Sequence, residues 1–195
     1  MRRKGGDMEV LPTWLNPFDV LILLALLAGS AWGFIRGLIR MALSLVVLYV
    51  SAVLAMTVYE RVGDYLTYMF GLPTNMSHGI AFLAIMAVAS IVLNSVLRLT
   101  YRDTELPGIR QVDQLGGMVI GFFITCIWIG FTILAFAFML GASIAEEEGL
   151  GLNLIAYFQR SNLIPIFYRF LPIALATLRP WMPKGLPPAI FEFRL

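Results

Sequence analysis

The chain has 195 residues, of which 59% are hydrophobic and 13% charged, and its 14 basic side chains nearly balance 12 acids for a formal net charge of +2. A soluble domain carries about 45–50% apolar and about 25% charged residues, so this composition, with a mean hydropathy of +0.84, excludes a disordered chain, a disulfide-stapled secreted module and an ordinary soluble enzyme. Lys and Arg are scattered and form no basic face, which argues against a nucleic-acid partner, and the single cysteine allows no intramolecular disulfide. A small polytopic membrane protein remains.

Residues 1–15 form a polar lead with Trp14 at the membrane entry. The first apolar segment, residues 18–35, lies between Pro17 and Arg36 and holds Asp19 as its only charge. Arg2, Arg3 and Lys4 would suit the basic end of a signal peptide, and Ala28, Gly29 and Ser30 its cleavage site. A second apolar segment follows within a few residues, however, and the first continues through Trp32 and Phe34, so we read a retained helix. Segments 41–59 and 114–140 hold no charge, and segment 77–97 ends at Arg98. Each of the four meets the roughly 17–25 residues that about 30 Å of hydrocarbon requires, and only helices satisfy their own backbone there without closing into a barrel. The pattern predicts an all-α membrane protein with four transmembrane helices in a single domain over residues 1–195.

Between the spans, residues 60–76 are expected as a loop with Glu60, Arg61, Asp64 and the turn signal Gly71, Leu72, Pro73, and residues 98–113 as the most charged loop. After an acidic run at Glu146, Glu147 and Glu148 comes a half-apolar tail. Within it Ile164, Phe167, Tyr168, Leu171, Leu175 and Leu178 recur at helical spacing, while Pro165, Pro172 and Arg169 interrupt a fifth span. A C-terminal amphipathic interfacial helix over about 152–178 is therefore expected. Charge ties on the two sides: Arg36, Arg40, Arg98, Arg102 and Arg110 against Arg2, Arg3, Lys4, Arg61 and Arg160. The first set sits hard against helix ends, which places it in the cytoplasm and both termini outside.

Few residues offer chemistry. His78 is the sole histidine and reads as a polar interface residue, since a metal site needs several ligands. Cys126 reads as a small apolar filler, and Asn94 as an interhelical hydrogen-bonding residue. With no phosphate loop, catalytic triad or metal motif, neither catalysis nor a cofactor is expected. Asp19 has two readings: an acid inside a span marks a proton or ion site, but with Asn16 as cap and Pro17 at the first helical position it stands where a carboxylate answers free N–H groups of its own helix. We favour the cap. Asp113 has a similar pair of readings, as the cap of the fourth helix or as one half of a charge pair with Arg36 or Arg40. Gly29, Gly33 and Gly37 line one face of the first helix, and Gly117 and Gly121 repeat the spacing in the fourth. Small residues at this interval let backbones approach closely, which predicts a helix-packing seam between the two, within one chain or between copies.

Three motifs together resemble the colicin V production protein family: Asn16, Pro17, Phe18 and Asp19 ahead of an apolar helix; Gly33, Phe34, Ile35, Arg36, Gly37, Leu38, Ile39 and Arg40 at the first turn; and Asp113, Gln114, Leu115, Gly116, Gly117, Met118, Val119, Ile120 and Gly121 opening the fourth helix. The resemblance covers roughly residues 14–178; the basic lead and the Pro-rich end after Trp181 depart from it. It implies a bacterial inner-membrane protein, with both termini outside, needed for bacteriocin production or export and without established enzymatic activity. The expected role is thus a non-enzymatic membrane protein supporting toxin production and envelope processes, in contact with the lipid bilayer and with further copies or other membrane proteins. The alternative is a small oligomeric transporter or channel using Asp19, Asp113 and arginines along a path.

Overall fold

The computed structural model describes residues 16–100, 110–143, 161–167 and 169. Four helices form: α1 (Pro17–Arg36), α2 (Leu38–Phe70), α3 (Thr74–Thr100) and α4 (Arg110–Ser143). All four are long and apolar enough to cross a membrane, and the chain is an all-α membrane protein. The expected polar lead 1–15, the middle of the charged loop, and the tail outside 161–167 and 169 lie outside the described residues. Within that tail residues 164–167 and 169 are helical.

The local sequence sets where each helix starts and stops. Asn16 is extended, and its side chain accepts the N–H of Phe18 at 3.3 Å, while Pro17 fills the first position, where a missing N–H costs nothing. A single residue, Gly37, separates α1 from α2, and its φ of 82° is one that only glycine adopts freely. Gly71 closes α2 in the left-handed region (φ 65°), with its N–H on the carbonyl of Thr67 at 2.9 Å. Pro73 follows and α3 begins.

The expected loop at 60–76 is therefore a correction. Helix α2 runs through Glu60, Arg61 and Asp64 to Phe70, and only residues 71–73 are non-helical. Charged residues end a membrane span but not a helix, and the one glycine within α2, Gly63, stays helical against His78, so the stop falls at Gly71. At 33 residues and 1.5 Å per residue, α2 is roughly 50 Å long. It crosses about 30 Å of hydrocarbon and carries on through the headgroup region. Helices α3 and α4 likewise take residues 98–100 and 110–113 from the expected charged loop.

The helices pair antiparallel, α1 on α4 and α2 on α3, with α4 also touching α2 and α3. Joined by one residue, α1 and α2 nevertheless touch little. The core lies where α2, α3 and α4 meet: Ala52, Ala55 and Met56 from α2, Phe82 and Met86 from α3, and Phe131, Leu134 and Ala135 from α4. Phe82 meets Phe131 edge to face at 5.8 Å. Lipid is as apolar as these side chains, so close dispersion contact rather than dehydration holds the cluster. The outward faces are equally apolar, with Leu21, Leu24, Leu27, Val88, Ile91 and Val119 exposed, as a lipid-facing surface requires. Several hydroxyls in the helices bond back to their own backbone, as Ser30 does to Leu26 at 2.8 Å and Thr132 to Trp128 at 2.8 Å. Asn94 joins two helices: its Oδ1 accepts from the Ser44 hydroxyl of α2 at 2.9 Å, and its Nδ2 donates to the Ser90 carbonyl at 2.9 Å.

This arrangement predicts that cysteines at Tyr68 and Leu99, both exposed at opposite ends of the α2–α3 hairpin, react with a membrane-impermeant maleimide from opposite faces of sealed vesicles in a Cys126→Ser background. Labelling of both from one face would contradict the antiparallel crossing.

Candidate functional site

The acids singled out at the starts of α1 and α4 both have backbone partners, and in each case the partner belongs to another segment. Asp19, in the first turn of α1, is only 7% exposed. Its Oδ1 accepts the hydroxyl of Ser161 at 2.5 Å and the N–H of Leu163 at 3.3 Å, and its Oδ2 accepts the N–H of Asn162 at 3.2 Å. Ser161 Oγ in turn accepts the N–H of Ile164 at 3.2 Å. Three successive N–H groups ahead of the turn at 164–167 thus have partners, two on Asp19 and one on Ser161. The reading of Asp19 as a cap of its own helix is corrected: Asn16 serves the first N–H of α1, and Asp19 caps the C-terminal segment. Ile164 goes into the socket beside it, packed with Ile22 of α1 and Ile133 of α4 and flanked by Leu26, Ile129 and Phe136.

At the other end of α1, Asp113 Oδ1 accepts the N–H of Leu38, the first residue of α2, at 2.9 Å. Gly37 has no side chain to cap α2, and Asp113 supplies the acceptor from α4. Asp113 therefore caps α2 rather than α4. Neither Arg36 nor Arg40 forms an ion pair with Asp113 or with another acid among the described residues. The Arg36 guanidinium instead lies over the ring of Trp32, 4.8 Å from its centroid. The expected charge pair is not formed among the described residues: the Asp113 carboxylate lies against Gly37 and takes a backbone donor.

Between these two caps, α1 and α4 meet at their glycines. A Cβ on Gly33 would lie 3.0 Å from the Cα of Gly121 and closer still to the Gly117 carbonyl oxygen. One on Gly117 would lie 2.8 Å from the Cα of Gly37, and one on Gly121 would lie 2.6 Å from the carbonyl oxygen of Gly29. Gly29 itself faces Thr125, whose hydroxyl occupies the place a Cβ would take and donates to the carbonyl of Gly121 at 2.8 Å. At Gly37 a Cβ would come 2.9 Å from the Asp113 carboxyl carbon, so that residue is glycine for space as well as for its φ.

Among the remaining candidates, His78 sits near the start of α3 with Nε2 2.9 Å from Asp64 Oδ1 of α2. The Tyr59 ring stands edge-on to it at 5.8 Å, and Gly63 leaves room for it. Cys126 is half-buried in α4 as a free thiol. The sequence reading missed Ser161 and Asp64. Ser161 carried a signal, a hydroxyl three residues before the apolar Ile164, but nothing in the sequence pointed to its partner on α1.

Fold and site together define a small polytopic α-helical membrane protein whose first and fourth helices are tied at both ends by acids that cap other segments. The family model for the colicin V production protein matches residues 18–172, and the chain belongs to that family. No curated protein and no solved structure matches the chain.

Two outcomes follow for stability in detergent. Asp19→Ala leaves a buried hydroxyl and two N–H groups without an acceptor, each costing roughly 1–3 kcal/mol when unpaired, so it should lower the melting temperature more than Asp19→Asn, which keeps one acceptor oxygen. Equal losses would mean that the side-chain oxygen does not hold the segment. Gly33→Leu and Gly117→Leu should each destabilise by about 1–3 kcal/mol or more through overpacking, against little change for Cys126→Ala; parity among the three in a thermal-shift measurement would remove the seam as a determinant of stability.

Proposed function

We propose that this protein is a non-enzymatic component of the bacterial plasma membrane that supports production or export of a peptide toxin of the colicin V type. In this reading it acts through helix packing and contacts with lipid and with other membrane proteins or further copies of itself, and both termini face outside. The observation that carries the reading is the extent of the family match: residues 18–172 take in all four helices, both capping acids and the docked segment at 161–167. The family unit is thus the whole tied assembly and not one span of it.

The alternative, an oligomeric transporter or channel with Asp19, Asp113 and arginines along a path, has less support. Both carboxylates are occupied by backbone donors, and they stand at opposite ends of the α1–α4 pair.

In a strain that makes such a toxin, deletion should abolish or strongly reduce toxin activity in the medium, and the wild-type chain should restore it. Gly33→Leu should fail to restore it in proportion to the protein lost from the membrane. Toxin retained in the cells would assign the role to export, and its absence from cells and medium alike to production. Unchanged toxin output in the deletion strain would overturn the proposal.

A further inference from the structure

The elbow between α1 and α2 brings two cations to the edge of the apolar zone, and among the described residues neither has an acid as ion-pair partner. The apolar run of α1 ends at Ile35, which is 76% exposed, and Arg36 is the next residue and the last of the helix. Gly37 reverses the chain, and Arg40 follows, exposed in the first turn of α2. Asp113, which reaches this elbow from α4, accepts the N–H of Leu38. The Arg40 backbone carbonyl lies 2.9 Å from the hydroxyl of Ser44, which it shares with Asn94, and the Arg40 side chain has no ion-pair partner among the described residues. The Arg36 guanidinium lies over the ring of Trp32, which is itself 55% exposed. A cation held over an aromatic face in this way still has N–H groups to donate. On the protein side, α1 lies on α4 and α2 on α3, and the two arms of the elbow touch little.

We propose that the α1–α2 elbow is a binding site for an anionic phospholipid. Arg36 and Arg40 hold the headgroup phosphate, and the exposed faces of Trp32 and Ile35 lie along the glycerol and the first methylenes. Guanidinium forks match phosphate oxygens in geometry and charge. The site takes a lipid rather than free phosphate because the two cations adjoin exposed apolar side chains that only an amphiphile covers. An anionic headgroup is preferred over a zwitterionic one because two cations face a single phosphate, and a choline or ethanolamine nitrogen would add a third.

The full-length protein, reconstituted in vesicles of equal parts phosphatidylglycerol and phosphatidylcholine and then extracted in mild detergent, should carry co-purified phosphatidylglycerol well above the input ratio by mass spectrometry. Arg36→Gln and Arg40→Gln should each cut that enrichment about fivefold, the equivalent of one surface cation's attraction to anionic lipid, and the double variant should return to the input ratio. A variant with lysine at both positions, which keeps the charges but loses the forks, should fall between the wild type and the double glutamine variant. Should the double variant fail to fold, Arg40→Gln decides alone, since its side chain is exposed. Enrichment unchanged in the folded variants, or equal retention of both lipids by the wild type, would overturn the proposal. So would stripping of the lipid by millimolar inorganic phosphate, which would assign the site to the free anion.

Discussion

A helix that begins at the edge of a bilayer has up to four N–H groups without partners, and hydrocarbon offers none. In this protein that constraint is met across segments. Helix α2 begins one residue after α1 ends, so no polar side chain precedes it to fold back as a cap. Its first N–H is taken by Asp113 from α4. The turn at 164–167 brings its own hydroxyl, Ser161, but that reaches only Ile164, and the N–H groups of Asn162 and Leu163 fall to Asp19 from α1. Each acid thus does locally what water or a neighbouring Ser or Asn does in a soluble protein, and in doing so fixes two distant stretches of chain to each other.

A buried carboxylate without a cation is costly unless hydrogen bonds replace its hydration. The two acids meet that cost through their placement. Asp19 lies in the first turn of α1 and Asp113 in the first turn of α4, where the positive end of their own helix favours a negative charge by about 0.3–1 kcal/mol. Asp19 also receives two N–H groups, and Asp113 one, from the start of a second segment. A carboxylate placed between two helix starts is stabilised from both sides by fixed dipoles, which require no mobile counter-ion.

The four helices were legible in the sequence because each span is an uninterrupted apolar run, and hydropathy alone locates them. The far half of α2 was not, because Glu60, Arg61 and Asp64 end the apolar signal while leaving helix propensity intact. With that helix read as a loop, the contact between Asp64 and His78 was hidden, although the two residues are equidistant from Gly71 along the chain. The glycine spacing on α1 and α4 was visible as two small-residue faces, and the structure sets them against each other. Asp19 and Asp113 could be picked out as first-turn acids, but sequence rules assign a cap to its own helix. Their partners lie 142 and 75 residues away, and a local pattern carries no information about them.

The glycine faces and the capping acids look like separate motifs in the sequence, yet they form one device. Asp113 lies one helical turn before Gly117, and Gly37 one turn after Gly33. The close approach at Gly33, Gly117 and Gly121 brings α4 near enough for the Asp113 carboxylate to reach past Gly37 to Leu38. A side chain at either glycine would push the backbones apart and withdraw the acceptor from α2. The same pair of helices holds Ile164 at its other end, between Ile22 and Ile133, below Asp19. The α1–α4 pair therefore sets both where the α2–α3 hairpin departs and where the C-terminal segment returns. The packing that positions the remainder of the chain resides in two helices that are not neighbours in sequence.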